Sequence, residues 1–589
     1  MEMKRPFLAT SSLLSPTIRR ISRPSSTTTT NAPSAIRSVS SSPLTSSPDR
    51  YIAPHDHLYE YNRGRFLIDE TSQIARRRVR FNIDGLASVA AASVGARHCV
   101  NIEKCPDGLY NKAYILTMDN GKEVIAKIPN PNAGIPYYTT ASEVATMDFA
   151  RDVLQTPAPR VYAWNACADD ERNPVRAEYI VMEKMGGVPL SRVWWGLQPN
   201  KKLKVLLQVF EYQRGWTRTR FRRFGGLYYA KDADSGQQGP LYVEDGKPVW
   251  DSRFVVGPAV GREWSDAGRG NVECDRGPWA SILSYREAVG LREIAAIKQL
   301  NDAPKQMQIV YGPEPLLYQP TSQKKLAALS SYFQILEILL RDDAIPTDGH
   351  LWHDDLHHDN IFIDPESLTI SGIIDWQSVQ IAPLFDHSLD PCILDYTGPD
   401  VGDQLSRPAI PESIKSLPQG EEKAAALAEF LDKAVMIAWR SLVQSKNAEQ
   451  YRMLSFQQSA AGNLLHLSRR IYELGEAHFR TLLLDLQDEW GENNPQSRRS
   501  HPSPVINFSQ LEIVEIETDM RRADLGIQLM KDIQRDLGKL WPEKGLVGDE
   551  DYDRVKALLG RRKGELIARY CTRQGWDTAV FEQHWPFDD

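Results

Sequence analysis

One stretch constrains this chain more than any other: His353-Asp354-Asp355-Leu356-His357-His358-Asp359-Asn360. Asp355 and Asn360 stand five residues apart in a polar loop, and the apolar run Ile361-Phe362-Ile363 leaves that loop at once. Fifteen residues after Asn360, Asp375 closes a second apolar run, Ser371-Gly372-Ile373-Ile374, and is followed by Trp376. Runs of this length and composition read as short strands. The loop and its two strands form one package, with the carboxylate of Asp375 projecting into the same site as the loop.

Phosphoryl transfer from ATP would use such a package. It needs a cation for the phosphates, oxygen ligands for magnesium, a carboxylate beside the acceptor hydroxyl and a flap that excludes water. The spacing of Asp355 and Asn360 is that of a kinase catalytic loop, in which the aspartate meets the hydroxyl and the asparagine reaches a metal. Asp375 would be a second magnesium ligand, since magnesium takes one or two carboxylates plus phosphate oxygens and water. Upstream, Lys127 in Val124-Ile125-Ala126-Lys127 could reach the phosphates, with Glu143 on the next helix holding it. The flap would be Pro106 to Lys112, carrying Gly108 and Asn111, and its single glycine is a weak phosphate-loop signal. Val181-Met182-Glu183-Lys184-Met185 is where an adenine would bond backbone groups, near Glu183 and Met185. Other readings stay open. The three histidines and three aspartates of the loop also suit zinc or iron, the loop could be a solvated turn, and Lys127 and Glu143 taken singly read as surface charges.

The rest of the chain gives the package a frame. Tyr110–Thr117 and Val124–Ile128 read as strands joined by Asp119-Asn120-Gly121, a tight-hairpin signal. Ser142–Leu154 reads as a helix with Val144, Met147 and Ala150 on one side. Val161–Ala163 and Tyr179–Met182 are further strands, and Gly186-Gly187 makes a hinge. Helical patterns follow at Leu203–Trp216, Pro278–Leu300, Lys324–Leu340, Gly420–Trp490 and Leu511–Phe581. Asp232 to Asn271, dense in Gly, Asp and Pro, reads as a long loop or insertion. The expected fold class is therefore α+β: a small antiparallel-sheet lobe, then a large, mainly helical lobe.

Residues 1–50 differ in kind. They hold seven Lys or Arg against Glu2 and Asp49, and twenty are Ser or Thr, so without them the net charge goes from -7 to -12. Too little apolar surface is present there to build a core. Basic and apolar residues interleave from Met1 to Ile21, which is the composition of a mitochondrial import signal; the alternative is an ordinary disordered tail. The acidic balance gives no reason to expect a nucleic-acid partner. No apolar run approaches the roughly 20 residues that span a bilayer. The six cysteines lack metal or disulfide spacing and are expected as free thiols, several of them buried, in a reducing or matrix-like compartment.

The His-x-Asp-Leu-His-x-x-Asn loop followed by Ile374-Asp375-Trp376 resembles the aminoglycoside phosphotransferase and choline kinase-like superfamily over about residues 95 to 400. Ser142 to Ala150, Phe224-Gly225-Gly226-Leu227-Tyr228 and Gly277-Pro278-Trp279 make the chain similar to the fungal altered inheritance of mitochondria protein 9 family. The resemblance implies a bilobal protein kinase-like fold in the mitochondrion, matrix included, using ATP and magnesium. It implies Asp355 as catalytic base, Asn360 and Asp375 on magnesium, and His353 as a structural member of the catalytic loop. Its implied boundaries are a transit peptide over 1–50, an arm over 51–94, an N-lobe over 95–185, a C-lobe over 186–490 and a helical extension over 491–589. Asp354 departs from the family pattern, where glycine is common, and is expected to perturb Asp355 or bind metal. The partners expected are a nucleotide and a small-molecule acceptor of unknown identity. A nucleotide-responsive pseudokinase is the alternative, while protein substrates lack an activation loop to bind them.

Overall fold

The computed structural model describes residues 56–588, with breaks at 234–235, 237–238, 301–304, 313–315, 342–344, 491–505, 543, 574 and 576. The import-signal reading of 1–50 and the polar linker expected at 491–504 lie outside the described residues.

Alternation builds the small lobe. In the strand Asn111–Met118 every second residue is buried, as a half-covered pleat requires. Five antiparallel strands follow the spatial order Cys99–Lys104, Asn111–Met118, Glu123–Pro129, Tyr179–Glu183, Val161–Asn165. Tyr114, Leu116, Val124, Ala126, Ile128 and Val181 pack on one face with Leu86, Ala90 and Ala91 of the helix Ile83–Ser93. Lys127 falls between Ala126 and Ile128, so the period of two turns it to the opposite face. That face carries the helix Tyr138–Asp152, whose Val144 and Met147 join Ile180 and Met182 in the main core. The first strand escaped the sequence reading because Cys99–Lys104 is an edge with no fully buried residue.

The hinge fastens the two lobes. Gly187 has φ 86°, and a Cβ there would come within 2.3 Å of the Ile363 carbonyl, so only glycine fits. Val188 and Pro189 then pair with Ile363 and Phe362, and Ile361–Ile363 pairs with Ile370–Ile373. The catalytic package thus grows directly from the hinge.

The large lobe is mainly helical, with Pro199–Arg218, Ile282–Gln299, Ser322–Leu339, Glu421–Lys446 and Ala477–Trp490 among its helices. Ser281 and Ser284 form a capping box at one helix start, and Thr321 accepts from Lys324 N at another. The region 232–271 corrects the expectation of a long loop. It contains the strands Tyr242–Glu244, Lys247–Val249 and Phe254–Gly257, with Phe254, Val256 and Trp264 buried. Asp245 and Gly246, both at positive φ, make the hairpin turn, but three-residue strands carry too few apolar positions to show a period. Thr219–Phe221 bridges this hairpin to Gly349–Leu351, the strand that enters the catalytic loop.

The arm and the C-terminal block pack on each other. Arg65 and Phe66 pair antiparallel with Val547 and Leu546, and Leu67, Val547, Tyr552 and Phe581 share one core with the helix Gln510–Leu537. The six cysteines are free as expected, but only Cys571 is buried. Among the described residues no helix is long and apolar enough to cross a membrane.

Candidate active site

Lys127 Nζ bonds two carboxylates: Glu143 Oε1 at 2.6 Å and Asp375 Oδ1 at 2.8 Å. The surface-charge reading of Lys127 and Glu143 is excluded, because both are buried. Burial opposes the ammonium, yet Asp375 and Glu143 together hold the Lys127 pKa above its ordinary value. Burial likewise works against the Asp375 carboxylate, and Lys127 more than offsets it, keeping the group ionised. Asp375 sits at φ 61°, a left-handed conformation that costs a Cβ-bearing residue of order 1 kcal/mol. That geometry swings its carboxylate off the strand end and into the cleft.

The loop is braced from within. Asn360 Nδ2 donates to the Asp355 carbonyl at 2.9 Å, and Ile374 N donates to the Asn360 carbonyl at 2.9 Å. The amide side chain of Asn360 is thereby fixed beside Asp375, and both groups offer oxygen, the donor magnesium prefers. His353 is 1% exposed, and its Nε2–H donates to the Ile374 carbonyl at 2.9 Å. Burial holds its pKa below the ordinary histidine value. A neutral, buried ring tied to the residue before Asp375 orients the loop. The Asp355 side chain is 46% exposed and so open to a substrate.

The zinc or iron reading fails on placement. Among the described residues no three His, Cys, Asp or Glu converge to hold a metal ion. His358 packs against Trp194 and Trp195 at 5.2 and 4.9 Å between ring centres, and His353 is committed to Ile374.

Asp354 is also corrected. Its carboxylate meets His387 Nδ1 at 3.0 Å and accepts from Ser388 N at 2.7 Å. Burial opposes a charged His387, but Asp354 raises its pKa overall. The extra carboxylate therefore staples the catalytic loop to residues 387–388; its charge is taken up there.

The flap reads differently from a phosphate cradle. Gly108 N donates to the Asn111 carbonyl at 3.0 Å, closing a tight turn, and Asn111 Nδ2 donates to Gln377 Oε1 at 2.7 Å. Asp107 accepts from Asn62 N at 3.0 Å and from Lys104 at 2.8 Å and Lys112 at 3.2 Å, so the arm pins the flap's base. At the adenine-side strand, Glu183 N donates to the Arg160 carbonyl at 2.8 Å and Glu183 Oε2 accepts from Arg160 N at 3.1 Å. Glu183 is therefore a strand-end anchor, whereas Met185 lies on the cleft floor, where a Cβ on Gly372 would approach its Cε to 2.6 Å. Sequence reasoning placed Tyr110 in the flap but missed Arg262, Gln377 and Lys544 at this cleft. Arg262 stacks 3.6 Å over Tyr110, and Lys544 Nζ donates to Tyr110 Oη at 3.3 Å. A lone Arg or Lys in a segment without local motif carries no signal that could have found them.

A lysine held by a helix glutamate, facing an Asp–Asn pair beneath a small antiparallel sheet, defines a kinase-like phosphotransferase architecture. Residues 101–386 match the model of the phosphotransferase enzyme family, to which the chain is similar over that stretch. A subtelomeric hrmA-associated cluster protein of Aspergillus fumigatus is 36% identical over 359 residues, covering 55% of this chain and 66% of the relative. The mitochondrial altered inheritance of mitochondria protein 9 of Yarrowia lipolytica is 24% identical over 389 residues, covering 60% of this chain and 65% of the relative. The match thus spans about two thirds of each relative's length. Among solved structures, an aminoglycoside phosphotransferase APH(4)-Ia mutant with AMP-PNP and hygromycin B aligns at 12% identity and TM-score 0.29, over 65% of this chain and 98% of that one. A GDP and kanamycin complex of a second aminoglycoside phosphotransferase aligns at 13% identity and TM-score 0.30, over 69% and 99% of the two chains. These superpositions are loose, so the fold assignment rests on the strand and helix order described above and on the family match.

Proposed function

We propose that this chain is a mitochondrial phosphotransferase that moves a phosphoryl group from ATP, with magnesium, to a hydroxyl of a small molecule. The observation that carries the reading is the Lys127 bridge between Glu143 and Asp375, a buried cation poised between the sheet and the oxygen ligands of the loop. Magnesium ATP would supply the phosphoryl group and the charge neutralisation on its phosphates. Lys127 would bind phosphate oxygens, Glu143 would keep it in place, and Asn360 and Asp375 would offer oxygen ligands. Asp355, exposed in the cleft, would accept the hydroxyl proton. His353 and Asp354 would hold the loop in register. Met185 would pack against the base, and the turn at Gly108 and Asn111 would limit water. The N-lobe over 95–185 would serve the nucleotide and the C-lobe over 186–490 the acceptor. Mitochondrial names among the relatives and the basic, hydroxyl-rich residues 1–50 support a mitochondrial address, with the matrix as the proposed compartment.

Calorimetric titration of the purified chain with ATP tests the nucleotide half of this reading. Binding with magnesium, weakened at least about tenfold on its removal, is expected; no binding in either condition would contradict it. The pseudokinase reading draws on one observation, the direct hold of Lys127 on Asp375, which describes a resting site. It predicts nucleotide binding without turnover.

A further inference from the structure

Three segments remote in sequence meet around one ring at the cleft mouth. Tyr110 comes from the flap, Arg262 from the region once expected to be a loop, and Lys544 from the C-terminal block. The Arg262 guanidinium lies 3.6 Å over the Tyr110 ring, and Lys544 Nζ lies 5.4 Å from the same ring centre while donating to Tyr110 Oη at 3.3 Å. Arg262 is spoken for: Asp266 pairs with it, and the carbonyls of Asn132 and Ala133 accept from it at 3.1 and 3.0 Å. Glu473, also close by, pairs with Arg269 and Arg470. Among the described residues Lys544 has only the tyrosine hydroxyl as a hydrogen-bond partner and no carboxylate at ion-pair distance.

Lys544 is also placed with care. It sits at φ 50° and Gly545 at φ 81°, the first a conformation that a residue with a Cβ seldom takes. The turn is held there because Leu67 N donates to the Gly545 carbonyl at 2.8 Å and the next two residues pair with Arg65 and Phe66. Asp355 acts on Lys544 through space, and Lys544 acts on Asp266, whose carboxylate pairs directly with Arg262. With Asn111, next to Tyr110, bonded to Gln377 two residues beyond Asp375, the lysine stands at the cleft mouth within electrostatic reach of Asp355.

We infer that Lys544 and the Tyr110 hydroxyl form an anion site for the acceptor, which carries a phosphate or carboxylate group near the hydroxyl to be phosphorylated. The inference rests on the phosphotransferase reading above and adds a substrate class to it. An ammonium with no carboxylate at ion-pair distance attracts an oxyanion and repels a polyamino sugar.

The test uses the full chain saturated with magnesium AMP-PNP, so that the nucleotide phosphates are already in place, titrated calorimetrically with orthophosphate and separately with acetate. Wild type should bind at least one of the two; orthophosphate alone marks a phosphorylated acceptor, acetate alone a carboxylate. Lys544→Gly should weaken that binding about tenfold or more, as loss of a charge-assisted hydrogen bond implies, while Lys544→Arg should largely keep it. Glycine suits the backbone at position 544, so the melting temperature of Lys544→Gly should hold or rise, which separates loss of the site from loss of the fold. Equal anion binding by wild type and Lys544→Gly would overturn the inference, as would no anion binding by a wild type that holds the nucleotide. Weaker AMP-PNP binding in Lys544→Gly with anion binding intact would move the lysine to the nucleotide and overturn it too. A wild type that binds no AMP-PNP would overturn the phosphotransferase reading itself, and this inference with it.

Discussion

The two ends of the cleft are built in different ways. At the inner end Lys127 with Glu143, and Asn360 with Asp375, come as two local pairs 16 and 15 residues apart, and the carboxylates and ammonium satisfy each other. At the outer end Tyr110, Arg262 and Lys544 come from segments more than a hundred residues apart, and among the described residues Lys544 has no carboxylate at ion-pair distance. The inner end is complete as it stands. The outer end is complementary to something absent from the chain, which is how a protein sets acceptor specificity on a shared chemical core.

The largest effect that would sharpen this contrast is expected at the inner end. Lys127→Met strands Glu143 as a buried, unpaired carboxylate and leaves the partly exposed Asp375 without its partner, a loss on the order of 3–5 kcal/mol. Chemical denaturation should register it, together with a fall in magnesium ATP affinity. Next comes Asp354→Ala, which releases His387 and Ser388 N and should cost about 2–3 kcal/mol in the same assay. Unchanged stability in that variant would break the account of Asp354 as a staple.

A smaller, graded effect comes with pH. Burial pulls the pKa of His358 down to about 4, while the unfolded chain titrates near 6.5. The unfolded state therefore takes up a proton that the folded state refuses, and stability falls as pH drops from about 6.5 toward 4, by up to about 1.4 kcal/mol per pH unit. His387, raised by Asp354, acts with the opposite sign: its contribution is full below about 6.5 and is lost as pH rises through its folded value. His358→Phe should thus flatten the acid side of the stability profile relative to wild type, and an unaltered slope would contradict the buried, neutral assignment. The smallest effect belongs to Gln377→Ala, which removes the 2.7 Å bond from Asn111 and should cost about 1 kcal/mol, while opening the flap to faster hydrogen exchange.

Legibility in the sequence follows the same division. The hairpin before Lys127, the helix bearing Glu143 and the strands around Asp375 were readable because period and spacing are local properties. Helix Tyr138–Asp152 begins four residues ahead of the expected Ser142, an end set by packing of the chain before it. The strands of 219–257 were not readable, since each is three or four residues long and owes its place to partners such as Gly349–Leu351. Asp354 misled because its neighbour in sequence is Asp355, whereas its partner in space is His387, thirty-three residues on. Lys544 gave no signal at all: the pairing of Arg65 and Phe66 with Val547 and Leu546 holds its turn beside Tyr110.

The most direct test is phosphoryl transfer by Asp355→Asn beside wild type, using labelled ATP and a small-molecule extract of mitochondrial matrix, with magnesium ATP affinity measured on both proteins. The account predicts equal affinity, a labelled product with wild type, and a loss of about 10²–10⁴-fold in the variant, the range expected for a missing general base. Equal labelling by both proteins would remove Asp355 from the chemistry, and no labelled product from a wild type that binds ATP would contradict the proposed transferase.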